Sequence, residues 1–308
     1  MGRVFVTGAS GFVGTAVIRE LLARGFDVAA LVHRGQAKLN DPRITIVRGD
    51  LFSSDLLANG MNGCEAVIHL VGIIREDQGR GATFERIHVE GTRHVVEAAT
   101  RAKVRRYIHM SAQGARAGAI SSYHKTKFAA EEIVRGSTLD WTIFRPSLIH
   151  GPGGEFTQME TGWAKGTAMP FIGMPYFGAG ILGRGPASKV QPIFVDDVAR
   201  AFVDALQKPQ TIGRTYAIGG IEQITWPQMH RIAAEIIVGK RRMVLAIPQW
   251  YALLLTRIVP RRLLPFNRDQ VLMSAEDNVV DLSEFISDFG WEPRGFAEAL
   301  RSYAGTRT

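Results

Sequence analysis

Tyr123 and Lys127 stand four positions apart in the run Ser-Tyr-His-Lys-Thr-Lys, so one helical turn puts both on one face together with Ala130 and Val134. A phenol, with an ordinary pKa near about 10, becomes a usable general acid and base when an ammonium beside it stabilises the phenolate. The same lysine can bind a ribose hydroxyl. A second run, Gly8-Ala9-Ser10-Gly11-Phe12-Val13-Gly14, is suited to an anion. Glycine lets the backbone turn tightly and bring its N–H groups up to a pyrophosphate, and a helix beginning there adds orphan donors and the positive end of its dipole. Together these residues predict binding of a dinucleotide and, with Tyr123 and Lys127 as a candidate catalytic pair, general acid–base chemistry.

The choice of dinucleotide is set after the second strand, where an acid would hold the adenosine ribose of NAD. That position reads Leu31-Val32-His33-Arg34. Asp27 precedes the strand and lies at its wrong end. Arg34 offers a planar donor fork for a 2′-phosphate, although a solvated loop arginine would look the same in sequence. The missing acid decides for NADP(H) over NAD(H), with His33 and Arg34 as contacts. Asp50 and Leu51 follow the third strand and Leu70-Val71-Gly72 the fourth, at the carboxyl ends where a ligand crevice forms. Asp50 either bonds the adenine edge or caps the helix that begins near Ser53.

These residues need a scaffold, and the first 150 positions supply its pattern. Short apolar runs at 3–6, 28–32, 44–48, 66–69, 106–110 and 141–144 alternate with segments of helical period, the signature of βαβ units and a parallel sheet. Val13, Ala16, Val17 and Leu21 share one helical face, which ends before Gly25. The predicted class is α/β, a doubly wound Rossmann sheet with a smaller, mostly helical C-terminal lobe. Residues 1–150 and about 191–220 form the nucleotide domain. About 151–190 and 221–308 form the lobe that receives substrate or partner. Residues 151–188 hold ten glycines and four prolines and read as a loop-rich excursion able to supply a substrate pocket. Helices are expected over 196–206, 226–238 and 282–289.

Composition narrows the class further. A chain of 308 residues with 46% hydrophobic content can bury a full core. A single cysteine, Cys64, excludes an internal disulfide and points to a reducing compartment. The first strand pattern begins at Arg3, which favours a cytoplasmic protein. Eight histidines show no metal-ligand spacing, so no metal site is predicted. The net charge of +8 favours anionic company, but no nucleic-acid module or stacking platform accompanies it.

Taken together, the segments at 7–14, 49–51, 69–73, 89–99, 144–151 and 192–198 resemble the short-chain dehydrogenase/reductase superfamily in its extended and atypical branches. The combination of His69-Leu-Val-Gly-Ile73, the segment at 109–115, the run at 191–199 and the tail with Asp269-Gln270-Val271 and Asp277-Asn278 is similar to the NADPH-binding Rossmann-fold accessory subunits of respiratory complex I and their bacterial homologues. The first resemblance implies proton donation by Tyr123 and ribose contact by Lys127, and it brings Pro146, Ser147 and Leu148 to the cofactor. The second implies tightly held NADPH without established turnover. Three departures stand out. Ala112 occupies the position of the family's serine or threonine, with Ser111 one residue early and Ser121 or Ser122 as substitutes. His88 replaces the usual asparagine, either as a core histidine or as a ligand to backbone carbonyls. The link from Ser111 to Tyr123 is short.

Two readings follow. One is an NADP(H)-dependent reductase or dehydrogenase acting on a carbonyl, isoprenoid or quinone-related substrate. The other is a protein that holds NADPH without turning it over and docks on a respiratory or quinone-related membrane complex. From Lys240 to Arg268 there are seven basic residues and no acid, with Trp250, Tyr251, Leu253, Leu254, Leu255 and Ile258 between them. Between Arg242 and Arg257 lie only 14 uncharged residues, broken by Pro248, too few to span a membrane. The stretch fits a segment at the inner membrane face or against an acidic protein, and equally a core helix with solvated arginines.

Overall fold

The computed structural model describes residues 2–33, 40–260 and 264–304. The chain forms two compact bodies.

The first comprises Met1–Pro146, Val195–Ile218 and Ser283–Trp291. Its elements begin β1 (Arg3–Thr7), α1 (Phe12–Ala23), β2 (Asp27–Val32), β3 (Ile44–Arg48), α2 (Ser54–Met61), β4 (Cys64–His69), α3 (Gly91–Arg101), β5 (Arg106–Met110), α4 (Ser122–Arg135) and β6 (Asp140–Pro146). The chain then contributes β7 (Ile149–His150), α5 (Glu155–Lys165), β8 (Met174–Gly178), β9 (Lys189–Val190) and β10 (Ile193–Phe194) to the second body. It returns with α6 (Val195–Leu206) and β11 (Arg214–Ile218). The elements β12 (Ile224–Thr225), α7 (Trp226–Val238), β13 (Val244–Pro248), α8 (Gln249–Ile258) and α9 (Arg268–Ser274) belong to the second body, α10 (Ser283–Phe289) to the first and α11 (Phe296–Ala304) to the second.

The first body is built on a seven-stranded sheet in the order β11-β6-β5-β4-β1-β2-β3, parallel at every pairing. Helices on both faces explain the unbroken apolar strands, since Val4, Phe5, Val6, Val28, Ala30, Val67 and Ile68 are all buried. Each such Val, Ile or Phe contributes about 1.5–3 kcal/mol by leaving water. Strand order reverses between β1 and β4, the switch point beside which doubly wound sheets take their ligands.

Two expectations need correction. Helix α10, placed in the lobe from sequence, packs in the first body. Phe285 and Phe289 stack 4.5 Å apart, Tyr216 meets Phe289 at 5.2 Å, and Trp291 Nε1 donates to Asp204 Oδ2 at 2.9 Å. Residues 192–194 are expected from sequence in the nucleotide domain, but β10 pairs with β7 inside the second body.

The second body pairs β10 with β7, β12 with β9 and β13 with β8 in three two-stranded ribbons among its helices. Residues 151–188 are more ordered than their glycines suggested, because they carry α5 and β8. Glu160 hides α5 from a hydrophobic pattern. It is buried against His230, whose Nδ1 lies 3.0 Å from its Oε1.

Candidate functional site

The loop between β1 and α1 has the backbone geometry a pyrophosphate needs. Gly8 lies in the left-handed region at φ +69°, where a side chain would be strained. The Gly11 N–H donates to the Gly8 carbonyl at 2.9 Å and closes the turn. A Cβ at position 14 would stand 2.1 Å from the Gly8 oxygen, so only glycine lets α1 pack this close to the loop. Ala9, Val13 and Gly14 are buried, Phe12 is half-buried, and Ser10 and Gly11 are exposed. No side chain caps α1, whose Ncap Gly11 is extended, and its first turn carries no acid. Its leading N–H groups therefore keep the orientation that receives an anion. These residues fit a dinucleotide pyrophosphate.

After β3, Asp50 turns the chain into α2. Its Oδ1 accepts from Phe52 N at 2.9 Å and from Ser53 Oγ at 3.0 Å. Burial resists its ionisation, but those two bonds and the nearby His33 outweigh it and hold the carboxyl below the usual carboxylate range. Of the two readings open for Asp50, this geometry supplies the local turn. Leu51 is buried beneath α3 and would be 2.9 Å from a Cβ at Gly91. His33 is exposed. Arg34 lies outside the described residues.

On α4 Lys127 is buried, and Tyr123, one turn before it, is half-buried. The Lys127 ammonium donates to the Met110 carbonyl at the end of β5, 2.6 Å away. A Cβ at Gly72 would stand 3.5 Å from Lys127 Nζ and 3.6 Å from His88 Nε2, so the turn after β4 passes over both groups. Leu70 N donates to Thr7 Oγ1 at 3.2 Å, and Val71 packs partly buried on the core cluster. Burial lowers Lys127 to about 8 against the pull of Glu131. Burial raises the Tyr123 phenol to about 12, which leaves it a proton donor at neutral pH.

His88 sits in a π-helical turn, Glu85–Glu90, that leads into α3, a distortion frequent at functional sites. Its Nε2 accepts from Ile73 N at 3.1 Å and its Nδ1 lies 2.9 Å from Thr126 Oγ1 on α4. The ring stacks on Phe84 and meets Tyr123 edge-on, each at 5.4 Å. Burial, then the Lys127 charge, lowers His88 to about 2, and the same two causes in the same order lower His69 to about 3. Both imidazoles are therefore neutral around the lysine. His88 thus bridges the turn after β4 to α4.

Ser111 is turned to another task. Its hydroxyl donates to Glu131 Oε1, and that fully buried carboxylate also accepts from Arg145 Nε at 2.8 Å, Arg145 Nη2 at 2.6 Å and Arg135 Nη2 at 2.7 Å. Sequence reading missed this cluster. Its one visible signal is an acid four residues beyond Lys127 on an apolar helix face. Ser121 serves as N-cap of α4, accepting from His124 N at 3.1 Å, and Ala112 is buried. Pro146 closes β6 in the first body. Ser147 and Leu148 lie in the second, where Ser147 Oγ donates to the Asn278 carbonyl at 3.2 Å and the Leu148 carbonyl accepts from Ile193 N at 2.9 Å.

Comparison with known proteins adds independent findings. Residues 8–168 match the family described as NAD(P)H-binding. A ceramide reductase of Caulobacter vibrioides is 30% identical over 256 residues, covering 79% of this chain and 73% of its own. The mouse mitochondrial NADH dehydrogenase [ubiquinone] 1 alpha subcomplex subunit 9 is 28% identical over 224 residues, covering 70% of this chain but 56% of its own. Among solved structures, a dTDP-glucose 4,6-dehydratase of Streptomyces venezuelae with NAD bound superposes at a TM-score of 0.74 and 22% identity, covering 98% of this chain and 95% of its own. At that identity it shows a shared fold.

Proposed function

The chain belongs to the NAD(P)H-binding family, of the extended short-chain dehydrogenase/reductase type, and on that premise we propose that it is an NADP(H)-dependent oxidoreductase reducing a carbonyl of an isoprenoid, quinone-related or other lipid-like substrate. The observation that carries this reading is the meeting of Lys127 and His88 beside Gly72, with the Tyr123 ring edge-on to His88 and its phenol protonated at neutral pH. The loop Gly8–Gly14 binds the pyrophosphate, Arg34 takes the 2′-phosphate, and His33, Asp50 and Leu51 line the adenosine end. Leu70, Val71 and Gly72 border the nicotinamide half. A bound nicotinamide supplies the hydride. Tyr123 gives its proton to the substrate oxygen, and Lys127 orients the ribose and stabilises the phenolate left behind. His88 positions Lys127 and Tyr123 by tying the turn after β4 to α4, and Ser111 acts through Glu131. The lipid-like substrate class draws support from the ceramide reductase among the relatives.

A second reading draws on the complex I subunit among the relatives and on the engagement of Ser111 with Glu131. In it the chain holds NADPH and serves a membrane complex without turnover. One experiment separates the two. The purified protein is loaded with NADPH and challenged with ketone, isoprenoid and quinone-related substrates while nucleotide oxidation is followed. The enzyme reading expects turnover that Tyr123→Phe cuts by about 10²- to 10⁴-fold, with NADPH preferred to NADH and the preference erased in Arg34→Asp. No oxidation of bound NADPH by any of them removes the enzyme reading, and equal affinity for NADH and NADPH removes the cofactor assignment.

A further inference from the structure

Helix α8 is inside out for a surface helix. Trp250, Tyr251, Leu254 and Ile258 are exposed along it, and Ala252 is its one buried residue. Positions 250, 254 and 258 follow one stripe, with 251 beside it. A surface helix held by its own core turns such a stripe inward.

The same body exposes a second apolar feature. Gly180 and Gly183 take φ of +81° and +68°, and Gly183 N donates to the Gly180 carbonyl at 3.2 Å. Ile181 and Leu182 therefore stand at the two corners of a tight turn, where they are 82% and 70% exposed. Turn corners ordinarily carry polar residues. Trp250 Nε1 donates to the Ile181 carbonyl at 3.0 Å, which fixes this tip beside the start of α8. A third group, Met169, Phe171, Ile172 and Met243, is exposed at the other end of the β8–β13 ribbon, where Arg242 Nη2 donates to the Phe171 carbonyl at 3.0 Å.

The segments that carry these groups hold charge of one sign. Neither 161–195 nor 240–268 contains an aspartate or glutamate, and Arg184, Lys240, Arg241 and Arg257 are exposed. A protein partner would need a shaped pocket for each protruding aliphatic. A bilayer accepts them without one, takes tryptophan and tyrosine at its headgroup level, and attracts arginine and lysine when anionic. Among the described residues no helix is long and apolar enough to cross a membrane, so contact by this surface is parallel to the bilayer.

We propose that the second body docks on an anionic lipid bilayer, with α8 lying in the interface and the Ile181–Leu182 tip inserted beside it. This inference stands independently of the reaction proposed above. The test is flotation of the full-length protein with vesicles of phosphatidylcholine containing phosphatidylglycerol, against vesicles of phosphatidylcholine alone. The expected result is binding to the anionic vesicles only, weakened by salt. The double variants Ile181→Ser/Leu182→Ser and Trp250→Glu/Leu254→Glu should each lower partitioning about tenfold with unchanged circular dichroism, whereas Ile212→Ser, an exposed apolar change in the first body, should leave it intact. Three results overturn the proposal. They are absence of flotation, equal flotation with both vesicle types, and a dimer in sedimentation that Trp250→Glu/Leu254→Glu converts to monomer, which would make a second copy the occupant.

Discussion

The two bodies differ most in the apolar groups they leave at the surface. Both bury polar groups against partners, the second body in the pair Glu160 and His230 and the first in larger clusters. Glu131 is enclosed by Ser111, Arg135 and Arg145, and His69 is held between Thr7 and Thr92. The exposed large apolar residues of this body, Ile74, Ile120 and Ile212, are scattered along its chain. The second body leaves apolar groups outside in runs, on α8, at the Ile181–Leu182 turn and at Met169 to Ile172. Scattered surface hydrophobics need no explanation, but contiguous ones mark a contact. The proposed reaction lies in the first body and the proposed bilayer contact in the second.

The strongest way to break that contrast is through stability. Glu131→Ala removes one partner of a buried ion cluster and strands Arg145, so it should cost about 3–5 kcal/mol in denaturant unfolding. Leu254→Ser, on the exposed stripe of α8, should change stability by no more than about 0.5 kcal/mol. A small loss for Glu131→Ala together with a large one for Leu254→Ser would reverse the comparison, making the first cluster dispensable and the α8 stripe part of a core.

A second test uses pH. Lys127 is held at about 8 by burial, so its ammonium is present below that pH and is lost above it. If that ammonium holds the ribose, affinity for NADPH should fall about tenfold between pH 7 and pH 9, the worth of one charge-assisted hydrogen bond. Calorimetric titration of the wild type against Lys127→Met checks this. The variant should bind weakly and show no such slope. A flat wild-type profile would remove Lys127 from the cofactor site.

How much of this was legible in the sequence follows from the range of each interaction. The glycine loop and the strands of the sheet were readable because turn chemistry and apolar runs are local properties. Helix α10 was misplaced because its edge-on ring contacts with Tyr216 join residues about seventy positions apart. Helix α5 was overlooked because the buried Glu160 interrupts its apolar face and is satisfied by His230, equally distant in the chain. For α8 the apolar stripe was visible, but the pattern alone does not say which way it faces. The roles read for Asp50 and Ser111 had the same difficulty, since residue type identified each group as polar and useful without showing what it touches.

The smallest expected effect belongs to Ser111, and it separates two uses of one hydroxyl. A serine that holds the substrate oxygen would, when removed, lower kcat by orders of magnitude. A serine that donates to Glu131, as the geometry has it, leaves two arginines still on that carboxylate when it is lost. Ser111→Ala should then cost about 1 kcal/mol of stability and change kcat by less than about threefold, since less than 1 kcal/mol reaches the barrier. Both are read from one preparation, by thermal unfolding and by steady-state turnover with whichever substrate oxidises bound NADPH. A collapse of kcat with unchanged stability would return Ser111 to the catalytic group and make its bond to Glu131 incidental.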